Sequence, residues 1–230
     1  MELFDEPNIF ANQLNTRPNG ARRVSPARAP SRSPVLKPPL RQRREAFRVE
    51  AARAFGPRRI IAAAQEARVR TTKWHLAGQR VDRVLSVPYM LFLVCLYRGG
   101  FENLYGYILK LPYLGPSTML FHSIFPNSDD SGWVCMGRGA TRESITRRTL
   151  HYSTDADKAD VVLAAFWQDS NFNEDLMERF TNHAPRLHRD LSTITSWERA
   201  SRVRPGFIND VDWEYAGTAG NTIHQLGRRP

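Results

Sequence analysis

VPYMLFLVCLYRGG, Val87 (from Val87 to Gly100), runs straight into FENLYGYILKLP, Phe101 to Pro112, and these two stretches decide the fold. The first is an unbroken run of β-forming apolar residues that stops at a Gly-Gly pair, and a second run follows at once. This pattern predicts two antiparallel strands joined by a hairpin turn at Gly99-Gly100. STMLFHSIF, starting at Ser117, adds another short strand, and VRTTKWHLAG, starting at Val69, alternates imperfectly in the same sense. DADKADVVLAAFWQD, Asp155 to Asp169, reads instead as an amphipathic helix with Asp155 or Asp157 near its N-terminus and Val161, Val162, Ala165 and Phe166 on one face. The expectation is an antiparallel meander of three or four strands over residues 84 to about 134, then a helix over most of 158–168 that packs on one sheet face.

Outward toward the N-terminus the composition changes. Of the formal net charge of +10, much lies in residues 21–59, where Arg22, Arg23, Arg28, Arg32, Lys37, Arg41, Arg43, Arg44, Arg48, Arg53, Arg58 and Arg59 face only Glu45 and Glu50. Pro26, Pro30, Pro34, Pro38 and Pro39 exclude regular structure between 21 and 40, which reads as an extended or disordered arm. An Arg-rich arm suits an acidic partner or a nucleic acid, and it equally suits a solvated tail. RQRREAFRVEAARAF, Arg41 to Phe55, is built of good helix formers and ends at Gly56-Pro57, and a second helix is expected from Pro57 to about Val69.

Toward the C-terminus, the chain is expected to be helical from Leu176 to about Arg202, interrupted at Pro185, with a loosely held Gly-containing end from Ala216. Two cysteines, Cys95 and Cys135, cannot make a four-ligand zinc site or a disulfide framework, which points to a reducing compartment and to no cofactor. The longest apolar run, Tyr89 to Tyr97, is far short of the roughly 20 residues of a spanning helix, so no membrane partner is expected. The start, MELFDEPNIF, does not read as a secretory signal, although the Arg- and Ser-rich stretch after it also fits an organellar targeting segment.

FPNSDDSGWVCMG, Phe125 to Gly137, carries the functional signal. Pro126-Asn127, four residues, Gly132, two residues and Cys135 resemble in spacing the active-site segment of ubiquitin-conjugating enzymes, in which His-Pro-Asn precedes a turn and an apolar-Cys-apolar triplet. The upstream hairpin with Leu111-Pro112 and Pro116, and the downstream DVVLAAFWQDSNFNEDL, Asp160 to Leu176, match the flanks of that fold. The pattern is most similar to the bacterial ubiquitin-conjugating-like proteins of family D, found in plasmid cassettes that also encode ThiF-related activating enzymes. Phe125 stands where the eukaryotic pattern has His, and the insertion between Cys135 and the helix is longer.

The resemblance covers under half the chain and implies an α+β fold, an antiparallel sheet meander with helices packed on one face; composition adds a basic Pro/Arg-rich extended arm before it. The expected division is an arm at 1–40, a helical linker at 41–80, the conjugating-like domain at 81–205 and a tail at 206–230. It also implies that Cys135 accepts a small ubiquitin-like modifier from a ThiF-type activating enzyme as a thioester, and that Asn127 stabilises the oxyanion when an amine attacks. A cytoplasmic place, or one inside a large intracellular or viral assembly, follows. The competing reading is a catalytically silent scaffold of this fold, anchored by its arm in a nucleoprotein or viral particle, because a Val-Cys-Met triplet also suits core packing.

Other candidates are read as structural. Cys95 lies mid-strand and belongs to the core. His122 and His151 read as structural residues rather than bases. Arg138 and Arg142 either favour a Cys135 thiolate or are surface arginines. Asp129-Asp130 is turn chemistry before it is a cation site. The five tryptophans are scattered and suit core anchoring better than base stacking.

Overall fold

The hairpin expected at Gly99 is the centre of a curled antiparallel sheet in the computed structural model, which describes residues 47–76, 79–137, 140–169, 172–173 and 177–229. The expected arm at 1–40 lies outside these residues. Strand β5 (Tyr89–Tyr97) pairs with β6 (Gly100–Leu109), and Arg98-Gly99 makes the two-residue turn, with φ of 50° and 84°. Two consecutive positive φ values match the right-handed twist of the flanking strands, which is why glycine is placed there. The meander continues to β7 (Met119–His122), as expected.

The helices expected between Arg41 and Val69 are not formed: the described part is β1 (Phe47–Phe55) and β2 (Arg58–Gln65), and β3 (Arg68–Leu76) follows. β2 pairs with β5 along its whole length, from Arg58↔Tyr97 to Gln65↔Met90, and β1 pairs with β2. Tertiary pairing overrides the helix propensity of the alanines. The full sheet order is β1-β2-β5-β6-β7-β9, with β9 at Tyr215–Thr218.

The unbroken apolar run of β5 reflects burial on both sheet faces. Phe92, Val94 and Leu96 face one core with Ile61, Ala63 and Leu104, against α2 (Asp155–Ala164) and the wide turn that follows it. Leu91, Leu93 and Cys95 face another with Ile60, Ala62, Tyr105 and Tyr107, against α5 (Ala219–Gly227). Helices therefore cover both faces rather than one. The end expected to be loose is part of this second layer: Ala219, Ile223 and Leu226 form a helical stripe and are buried.

A second sheet, β4-β3-β8, uses β4 (Gln79–Val87) and the short β8 (Phe172–Asn173). Its β4 edge is closed by α4 (Ile194–Val203): the Val84 and Ser86 amides donate to Glu198 Oε1 (3.1 Å) and Ser201 Oγ (2.7 Å). Such capping removes an edge that would otherwise template pairing. Pro185 does not interrupt α3 (Glu178–Leu187); it sits in the last turn, and the break comes at His188, whose backbone is extended. Thr193 then starts α4 with a capping box to Ser196.

Candidate functional site

The Pro126-Asn127 to Cys135 segment is an excursion from one edge of β6. β7 pairs with β6 only at Ile108↔Phe121 and Tyr107↔His122. The chain then leaves, and it returns to the same edge: the Gly106 amide donates to Gly132 O (2.8 Å), Trp133 bridges Tyr105, and the Val134 amide donates to Leu104 O (2.8 Å). Residues 123–131 are thus looped out between two short pairings.

Phe125 explains how the loop is held without the histidine. It is 2% exposed and stacks on Phe172 at 5.6 Å, with Trp167 edge-on at 5.9 Å. Its carbonyl accepts from the Ser128 amide (3.0 Å) and hydroxyl (2.6 Å). An aromatic cluster therefore anchors the loop base. At the tip, Asp129 Oδ1 accepts from the Ser131 amide (2.8 Å) and hydroxyl (2.7 Å) and from the Trp133 amide (3.0 Å), which makes Asp129 a turn-forming acceptor as expected. The Tyr107 hydroxyl donates to Ser131 O (2.6 Å), and Gly132, at φ 79°, lets the chain pass the Tyr107 ring, which a Cβ would meet at 2.5 Å.

Cys135 and Asn127 are brought together through the backbone: the Cys135 amide donates to Asn127 O at 2.7 Å. Cys135 is half-buried, whereas Asn127 is 2% exposed and lines a tight crevice with Phe92, Phe125, Val134 and Phe166. Val134 and Met136 belong to the core on that side, and Trp133 packs with the opposite core. By strand alternation Cys135 faces the Trp133 side. On that side Trp133 Nε1 donates to Asn103 Oδ1 (3.2 Å), and the Arg229 guanidinium donates to the Tyr105 hydroxyl (2.8 Å) and lies over its ring.

Cys95 is core, as expected: 3% exposed, with its thiol pushed up to about 12 by burial and by Glu102, against the opposing pull of Arg58 and Arg229. His122 sits in β7, and His151 is exposed beyond α1 (Arg142–Thr149). Arg142 begins that helix, and Arg138 lies outside the described residues. Trp74, Trp167, Trp197 and Trp213 are buried, which fits core anchoring. Of the basic run, Arg58 pairs with Glu102 (2.7 Å), Arg59 with Asp155 (2.5 Å) and Arg48 with Glu50 (2.7 Å).

Among the described residues, open clefts lie elsewhere. One of about 250 Å³ is lined by Phe47, Glu50, Tyr89 and Tyr113 among others, and one of about 200 Å³ by Leu111, Leu114, Met119 and Phe121 among others. Cys135 lines neither. Among the described residues no helix is long and apolar enough to cross a membrane. Asn103 is the residue that sequence reading missed; its only signal was an amide beside Glu102 in a strand whose other residues are apolar or glycine. No protein-family model, curated protein or solved structure matches the chain.

Proposed function

We propose that this chain is a ubiquitin-conjugating-like protein that carries a small modifier as a thioester on Cys135 and passes it to an amine. The observation that supports this reading is the half-buried Cys135 directly after a loop whose Asn127 carbonyl fixes the cysteine amide at 2.7 Å. The Cys135 thiolate is the nucleophile, and Asn127, expected from the sequence to meet the oxyanion, holds the segment through its carbonyl while its side chain lies on the buried side. A ThiF-type activating enzyme supplies the modifier, and a lysine side chain accepts it. The arm contacts an acidic partner or nucleic acid through residues 21–59, with Arg58 and Arg59 set aside by their ion pairs within the fold. An intracellular setting belongs to the same reading.

The test is incubation with a ThiF-type activating enzyme, a ubiquitin-like modifier and ATP, followed by a non-reducing gel. A thiol-labile adduct that vanishes in Cys135→Ala supports the proposal, and the absence of any adduct across candidate pairs rejects it. One observation favours the silent scaffold instead: Val134 and Met136, on either side of Cys135, are buried in the core. The scaffold reading expects no adduct and a Cys135→Ser variant that assembles normally.

A further inference from the structure

Asn127 lies on the buried side of the cysteine segment, so the side of the thiol needs its own account. The hydrogen bonds from the Gly106 amide to Gly132 O and from the Val134 amide to Leu104 O, with the bridge Tyr105↔Trp133, fix one antiparallel register. One step further sets Cys135 across from Asn103. The orientation of the segment persists to that point, because the Trp133 and Cys135 amides both point away from β6, to Asp129 Oδ1 and Asn127 O, while the Val134 amide points toward it. Asn103 is paired with Cys95, a residue of the same sheet face as Tyr105, so its side chain stands on the Trp133 side. Opposed residues of an antiparallel pair have Cα atoms about 5 Å apart and share a face.

Asn103 is also oriented. Its Oδ1 accepts from Trp133 Nε1 at 3.2 Å, and among the described residues its Nδ2 has no acceptor. It is half-buried, so a group bound at Cys135 can reach it. We infer that Asn103 is the amide donor on the open side of Cys135, whose Nδ2 meets the oxyanion of a thioester held there.

This inference rests on the thioester reading. In the step it serves, the amine nitrogen attacks the thioester carbonyl carbon, a C–N bond forms, and the carbonyl electron pair moves to oxygen. Collapse of that oxyanion breaks the C–S bond, the electron pair returns to Cys135 as thiolate, and the amine proton passes to water. No oxidant or reductant is involved. A fixed amide donor stabilises the oxyanion more than the planar thioester.

A defined probe tests this in the full-length chain. A glycine-terminated peptide thioester of 2-mercaptoethanesulfonate loads Cys135 by thiol exchange, and free lysine then accepts the peptide, with both stages followed by intact mass. Asn103→Ala is expected to load at the wild-type rate and to transfer about 10²-fold more slowly. Trp133→Phe keeps the amide but removes the hydrogen bond that orients it, and is expected to load normally and to transfer more slowly than wild type, by less than Asn103→Ala. Wild-type transfer in Asn103→Ala, or a loss in loading as large as the loss in transfer, overturns the role of Asn103 while leaving the thioester reading intact. Failure of the wild-type chain to load at Cys135, or transfer no faster than the free probe, overturns that reading and Asn103 with it.

Discussion

Cys95 and Cys135 belong to one row across the sheet, with Asn103 between them, yet they live in different chemical worlds. Cys95 has a strand on each side, Ile60 in β2 and Asn103 in β6, and is 3% exposed. Cys135 stands one residue beyond the last ladder bond on the β6 edge, tied on its other side to the Asn127 carbonyl, and is half-buried. Position in the sheet, and not residue type, separates the buried thiol from the half-buried one.

The largest consequence is a labelling contrast. In native protein at neutral pH, iodoacetamide is expected to modify Cys135 faster than Cys95 by at least about 10³-fold, since burial both holds the Cys95 thiol protonated and shuts the reagent out. Peptide mapping reads the ratio, and comparable labelling of the two would dissolve the contrast. Next comes the loop that delivers Cys135 to the edge. Gly132→Ala forces a Cβ into the Tyr107 ring at a positive φ and is expected to cost about 3 kcal/mol in urea unfolding. A cost below that of an ordinary surface substitution would mean the loop is not held as described.

A smaller effect isolates Cys95 by pH. Its thiol is raised to about 12 from an ordinary value of 9.0, chiefly by burial. The folded state therefore keeps a proton that the unfolded chain has lost. The associated stability is fully present below pH 9 and is lost as pH rises toward 12, at about 1.4 kcal/mol per pH unit. Tyr105 and Tyr107 are also raised by burial, so the readout is the difference between variants. Cys95→Ala should flatten the alkaline slope and Cys135→Ala should not; equal slopes in all three proteins would remove the distinction.

The sequence made much of this legible and hid the rest for physical reasons. The β5–β6–β7 meander and α2 were readable because strong apolar periodicity coincided with turn glycines. β1 and β2 were not, because alanine is a good helix former and nothing local announces that Ala62 and Ala63 lie under helices on opposite faces. The C-terminal helix was hidden by its glycines, and its Ala219, Ile223 and Leu226 stripe is short. At the site, the spacing from Asn127 to Cys135 was visible, but the side on which each residue falls depends on a nine-residue excursion and a resumed register that only the folded sheet defines. Asn103 is 32 positions from Cys135 in sequence, and only the register places the two across from each other.

The smallest expected effect is the sharpest test of the contrast. Replacing sulfur by oxygen changes little in volume but adds a strong hydrogen-bonding group, so the cost reports how dry the position is. At Cys95, among Leu93, Tyr105 and Ile60, Cys95→Ser is expected to cost about 1–2 kcal/mol. Cys135 is half-buried, so Cys135→Ser should stay within about 0.5 kcal/mol of wild type. Urea midpoints of the two variants, measured side by side, give the difference directly. If Cys135→Ser costs as much as Cys95→Ser, the Cys135 sulfur is a packing group like its neighbour Val134. The scaffold reading then gains over the thioester one, whatever the spacing of the loop suggests.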